Sequence, residues 1–273
     1  MSRKAVAHGK IGQAGVPARC CVPTKKGDAM RAMLLLTLCG LHACQAAWAQ
    51  AAQVSLYAPH DPPHNMQEHG RLVGTSTELV EEMFRRAGIP YSLTFATWPR
   101  AFQSARDQPG NCAFSMARLP EREGLFRWIG PIGRSDWVLY GRTDDKRPPP
   151  TSIEDVRGSL IGSSSMDAVN QWLIRRNFKV DTTRHDTRNP EKLAAGRFDY
   201  WAVARERGAA LTASEGQTGR IAPVLTFNHV DLYLGCHGNF PDEQAKKLSQ
   251  ALAAMRRDGS VARIEARYTN WTP

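Results

Sequence analysis

Ser115-Met-Ala-Arg-Leu-Pro-Glu-Arg-Glu-Gly-Leu-Phe-Arg-Trp128, continued by Ile129-Gly-Pro-Ile132, is the stretch on which the reading of this chain turns. A β-like run from Cys112 to Met116 leads into it and ends in small and polar residues. A Pro-Glu-Arg turn then presents Arg122. A guanidinium on such a turn can grip a carboxylate with two parallel hydrogen bonds.

Outward from that stretch, short apolar runs alternate with amphipathic segments, the pattern of an α/β sheet. Before it, Val54 to Ala58 reads as a strand, Pro59 to His69 as a loop rich in Pro and His, and Tyr91 to Phe95 as a second strand. Thr75 and Glu78 can form a capping box for a helix with Leu79, Val80, Met83, Phe84 and Ala87 on its apolar face and Gly88 as its stop. Trp98-Pro99-Arg100-Ala101 opens another helix, which Pro109-Gly110 ends. After the central stretch come a strand from Asp136 to Gly141 and a proline-rich break from Lys146 to Pro150. A second series follows: a short helix at 153–156, a strand at 160–162, helices at 167–176 and 189–196, and a strand at 198–203. Leu232 to Cys236 is a late strand, 241–257 a long helix, and 261–268 a closing helix. Two such series with a late return strand predict two lobes joined by crossing strands.

The N-terminus is set aside before any argument from charge. Met30-Arg31, the apolar run Ala32 to Leu38 and Ala47-Trp48-Ala49 together read as a secretory signal peptide, and the run is too short to span a bilayer. Residues 1–49 are therefore expected to be a removed leader. A lipoprotein signal at Leu41-His42-Ala43-Cys44 and a basic arm of a cytosolic protein are the alternatives. The leader holds seven of the 36 Lys and Arg and one of the 26 acidic residues, which leaves 29 basic and 25 acidic side chains. That balance gives no reason to expect nucleic-acid binding. Four of the six cysteines also fall in the leader, so Cys112 and Cys236 remain, and two cysteines in an oxidising compartment suggest one disulfide.

Pieces of the chain in order resemble one family. Gly70 to Gly74 followed by Glu78-Leu79 is similar to its G-x-x-x-G-x-x-x-D-L helix entry, and Trp98 to Arg100 to its W-x-R. Leu119 to Arg122 resembles T-x-x-R, and Gly162 through Asp167-Ala168-Val169 to Leu173 resembles the second-lobe motif. Leu193 to Asp199 is similar to L-x-x-G-R-x-D, and Met255 to Tyr268 to the closing motif. The family is the bacterial extracellular solute-binding proteins, family 3, which feed polar amino acids to ABC transporters. The resemblance implies a two-lobe type II periplasmic binding fold, with residues 53–138 plus 232–273 as one lobe and 142–229 as the other. Each lobe would be a mostly parallel sheet flanked by helices, with ligand held at the carboxyl ends of the strands and enclosed by hinge closure.

By the same resemblance Arg122 is the carboxylate anchor and Ser115 a contacting hydroxyl. Ala117 stands where many members carry Ser or Thr. Arg118 would add a second cation to the cleft, Tyr57 and Trp98 stacking platforms, and Ser165 a hydroxyl at an anion-holding helix start. Asp167 caps its helix or, like Glu206, substitutes for a missing acid, because Ala204 occupies the position where amino-acid binders place the ligand's ammonium partner. An unpaired buried ammonium would be costly, which argues against a standard L-α-amino acid; the expected ligand is a small polar or carboxylated solute, an amino acid or a related compound. In this fold the late strand lies antiparallel to the one entering the ligand loop, which implies a Cys112–Cys236 disulfide. The histidines at 60, 64 and 69 with Asp61 and Glu68 read as a solvated cleft-edge loop, not a metal site. The expected protein is a periplasmic monomer without cofactor or catalysis that partners an ABC permease. A lyase resembling the cyclohexadienyl dehydratases, with Glu206 as its acid, and a ligand-sensing subunit are the alternatives.

Overall fold

The computed structural model describes residues 53–272 apart from Met166 and His185; the expected leader lies outside the described residues. Ten strands and seven helices alternate along them. The first half runs β1 (Val54–Ala58), β2 (Met66–Glu68), β3 (Arg71–Val73), α1 (Thr75–Ala87), β4 (Tyr91–Phe95), α2 (Trp98–Asp107), β5 (Asn111–Ala117) and β6 (Phe126–Arg142). The second runs β7 (Leu160–Ser164), α3 (Ala168–Arg175), β8 (Lys179–Thr183), α4 (Asn189–Ala194), β9 (Tyr200–Ala204), α5 (Arg205–Ser214), β10 (Ile221–His237), α6 (Asp242–Arg257) and α7 (Ser260–Ala266). Eight strands form one sheet in the order β4-β1-β5-β10-β6-β9-β7-β8. β1 is parallel to β4 and β5 at one end, and β7 is parallel to β8 and β9 at the other.

Two antiparallel strands of 17 residues, β6 and β10, join the ends. Their halves serve different cores. Ile129, Ile132, Leu234 and Cys236 pack with the apolar faces of α1, α6 and α7, whereas Trp137 and Leu139 pack with Ile161, Val169 and Leu173. Every residue of β5 is buried, as expected of a strand covered on both faces. Cys112 and Cys236 are direct partners in the β5–β10 register and form the disulfide.

The structure corrects several local expectations. Thr75 and Glu78 form no capping box. The backbone carbonyls of Pro63 and His64 already accept from the amides of Thr75, Ser76 and Thr77 at 3.0–3.2 Å, and Glu78 instead accepts from Arg267 and the Tyr268 hydroxyl. Gly74, at φ +122°, allows this close approach; a Cβ there would lie 2.4 Å from the His64 carbonyl oxygen. Part of the expected 59–69 loop enters the β2–β3 hairpin. The crossing strands begin earlier than expected, at Phe126 and Ile221.

Candidate functional site

β5 ends at Ala117, and a 3-10 turn over Pro120–Leu125 carries Arg122 inward. Proline fixes the turn's entry, and the amide of Arg122 donates to Leu119 O at 2.9 Å. The side chain is 2 % exposed. Its guanidinium carbon lies 5.2 Å from the Phe102 ring centroid and 5.6 Å from that of Trp98. Nη2 donates to Gln171 Oε1 at 3.0 Å and Nη1 to Ala117 O at 3.4 Å. Burial lowers its pKa, and the charges of Asp167 and Glu121 oppose that shift. Arginine nevertheless stays protonated in proteins, so the turn holds a permanent cation in an aromatic setting.

Toward the other end of the sheet, β7 ends at Ser164, Ser165 follows it, and Asp167 caps α3 by accepting from the amide of Val169 at 3.4 Å. Burial pushes the Asp167 carboxyl above its ordinary pKa. The neighbouring Asp186 adds to the shift, while Arg207 and Arg122 oppose it. Arg207, in the first turn of α5, grips Asp186 with two hydrogen bonds of 2.5 and 2.9 Å. Its Nη1 also donates to His60 O at 2.7 Å. Burial works against the Arg207 charge, yet the Asp186 hydrogen bonds and the charges of Asp186, Asp61 and Asp167 carry its pKa above the ordinary value. His60 is shifted down, first by burial and then by Arg207, with Asp61 opposing.

These groups line a cleft of about 600 Å³. Of the residues singled out from sequence, Trp98, Ser115, Ala117, Arg122, Ser165 and Asp167 line it, as does Ala204. The Ser115 hydroxyl is engaged by the Asn65 amide, 2.8 Å from Nδ2 and 3.1 Å from Oδ1. Two expectations are corrected. Arg118 points away from the cleft, pairing with Glu123 at 2.7 Å and lying over the Trp128 and Tyr233 rings. Tyr57 is absent from the lining and packs against the cluster formed by Ala101, Phe102 and Phe126. Sequence reasoning did not single out Asp186 or Arg207, and it placed Asp61 only in a solvated loop; all three line the cleft. Among the described residues no three His, Cys, Asp or Glu side chains are grouped to hold a metal ion, and no helix is long and apolar enough to cross a membrane.

The fold is shared with solved structures at low identity. A histidine kinase sensor domain with similarity to periplasmic binding proteins superposes with a TM-score of 0.71 at 19 % identity, covering 81 % of this chain and 97 % of that one. The arginine-, lysine-, histidine-binding protein of Geobacillus stearothermophilus gives 0.68 at 15 % identity, covering 81 % and 96 %. The ligand-binding core of a glutamate receptor from Nostoc punctiforme, solved with L-glutamate, gives 0.65 at 19 %, covering 79 % and 98 %. A sequence search of curated proteins found no match. These likenesses show the type II periplasmic binding fold. The model of the bacterial extracellular solute-binding proteins, family 3, matches residues 54–270, and the chain belongs to that family.

Proposed function

We propose that the protein captures a small carboxylated, cation-bearing solute, an amino acid or a related compound, and delivers it from the periplasm to an inner-membrane ABC permease. The observation that carries this reading is the pairing of a buried guanidinium with an acid in one cleft. Arg122 offers a fork to a carboxylate, and Asp167 lines the same cleft. Asp167 supplies the negative charge that position 204 lacks, so Ala204 no longer argues against an α-amino group. Solved neighbours were crystallised with arginine, glutamate and glutamine, which share that pair of charges.

We assign residues 53–138 and 232–273 to one lobe and 142–229 to the other, acting as a monomer without a catalytic step. Contacts that join the lobes then include Arg207 to His60 O, Arg122 to Gln171, and Arg175 to Glu121 at 3.0 Å. They support closure over the solute.

A thermal-shift screen of amino acids, dicarboxylates and amines tests the reading, since ligand at 100 times its Kd adds about 2.7 kcal/mol. Amino acids should shift the melt more than matched amines or simple carboxylates. Arg122→Met should weaken the best of them about a hundredfold by calorimetry, the loss of a charge-assisted pair in a buried site. Protection by amines alone would sink the proposal. Delivery is separated from signalling by solute uptake in cells lacking the gene, which falls only under delivery.

A further inference from the structure

Strand β5 is not regular. Met116 faces Tyr233 and Ala113 faces Gly235, so Phe114 and Ser115 together face the single residue Leu234. This is a β-bulge, and Ser115 sits in it at φ +56°. The bulge changes which face each residue takes. Cys112 and Phe114 pack in one core cluster, while Ala113 and Met116, three apart rather than two, pack together in another. Ser115, in the bulge, and Ala117, beyond it, line the cleft.

A side chain with a Cβ rarely adopts the left-handed conformation and keeps it only where its surroundings enforce it. Here the enforcing group is Asn65. It is wholly buried, and its amide engages Ser115 Oγ through both polar atoms. Thr77 Oγ1 donates to the same Asn65 Oδ1 at 3.4 Å. Its backbone exchanges two hydrogen bonds, of 2.8 and 2.9 Å, with Asp61, another cleft residue.

We propose that Asn65 is the positioning residue of the cleft, holding Ser115 left-handed and so fixing the bulge that turns residues 115–117 and the Arg122 turn toward the ligand. Without that hold, Ser115 relaxes to extended backbone and the register slips by one residue, which exchanges faces. The inference rests on the reading of this cleft as the binding site. It assigns to Ser115 a backbone role and not a hydroxyl contact with ligand.

Hydrogen exchange of the ligand-free protein, together with acetate titration followed by tryptophan fluorescence, tests it; Trp98 and Trp137 line the cleft. Asn65→Ala should speed exchange at residues 113–119 at least tenfold and weaken acetate at least fivefold, with β7 unchanged. Adding Ser115→Gly, which is left-handed without help, should return both to within about threefold of wild type. Wild-type protection in Asn65→Ala, or a loss that glycine does not recover, overturns the proposal. If Asn65→Ala does not fold, Ser115→Gly and Ser115→Ala are compared with Asn65 intact: glycine should keep both properties and alanine lose both, and equal behaviour overturns the proposal. Acetate failing to bind wild type would count against Arg122 as a carboxylate anchor, and exchange alone would then decide the role of Asn65.

Discussion

Removing the Cys112–Cys236 crosslink should cost this protein a large share of its stability. The bridge joins positions 124 residues apart, and for a loop of that length the chain-entropy model gives about 5 kcal/mol at 25 °C. Both side chains are 0 % exposed and packed in the cluster with Leu56, Phe114 and Ile129. Truncating them to alanine therefore adds a small cavity cost, on the order of 1 kcal/mol. For a chain of this size each kcal/mol moves Tm by roughly 2–4 °C, so Cys112→Ala/Cys236→Ala should melt about 12–24 °C below wild type in calorimetry. Urea unfolding supplies the second reading. A denatured chain without the crosslink exposes more surface, so the m-value should rise as the midpoint falls. A Tm within 3 °C of wild type refutes the reasoning. A large loss with an unchanged m-value would place the effect in folded-state packing instead.

Three further outcomes follow from local geometry. Asp167→Asn keeps a capping side chain and removes a carboxyl whose pKa burial has raised. The ionised carboxylate costs stability above its ordinary pKa near 3.8 and not below it. The variant should thus be more stable than wild type at pH 7 and equal to it at pH 3.5 by urea titration, while losing affinity for cation-bearing solutes. Gly208→Ala would place a Cβ 2.4 Å from the Tyr140 ring and 2.8 Å from Val203 Cγ1; overpacking there should cost about 1–3 kcal/mol, and a wild-type urea midpoint would contradict it. Hydrogen bonds from Arg85 hold the Glu82 carboxyl down to about 2, with burial opposing and Arg86 assisting. Its contribution is present above the ordinary carboxylate pKa and is lost as pH falls from about 4.5 to about 2. At this partly exposed site it amounts to less than about 1 kcal/mol, so Glu82→Gln and wild type should converge in stability at pH 2.

What the sequence disclosed tracks how strongly each segment patterns its apolar residues. The helix bearing Leu79, Val80, Met83 and Phe84 and stopped by Gly88 was legible, and so was the cap at Asp167. Strand β8 was not, because Lys-Val-Asp-Thr-Thr carries one aliphatic residue among polar ones. Helix α5 buries only Gly208 and Thr212 and has no apolar stripe to read. That gap hid Arg207, and with it the bond to Asp186, 21 residues away in sequence. The first half of β6 was not legible as a strand, because Gly130, Pro131 and Gly133 interrupt its apolar residues. Arg122 and its turn were legible through the family resemblance. The misassignment of Arg118 has a simple cause: the sequence places it beside Ala117, but its side chain turns to Glu123 and the Trp128 ring.

The position of β10 constrains the order in which the chain can mature. It is the last strand in sequence, yet it lies between β5 and β6 near the middle of the eight-stranded sheet. As the polypeptide emerges from its N-terminus, β5 and the first half of β6 have no common partner until residues 221–237 arrive. Before then both present open edges, the kind of surface that pairs with other chains. A chain interrupted before Ile221 therefore lacks more than a C-terminal segment: the central joint of its sheet is missing, and Cys112 has no partner. Holding such chains apart from one another until residues 221–237 emerge is thus a requirement that this topology places on the cell.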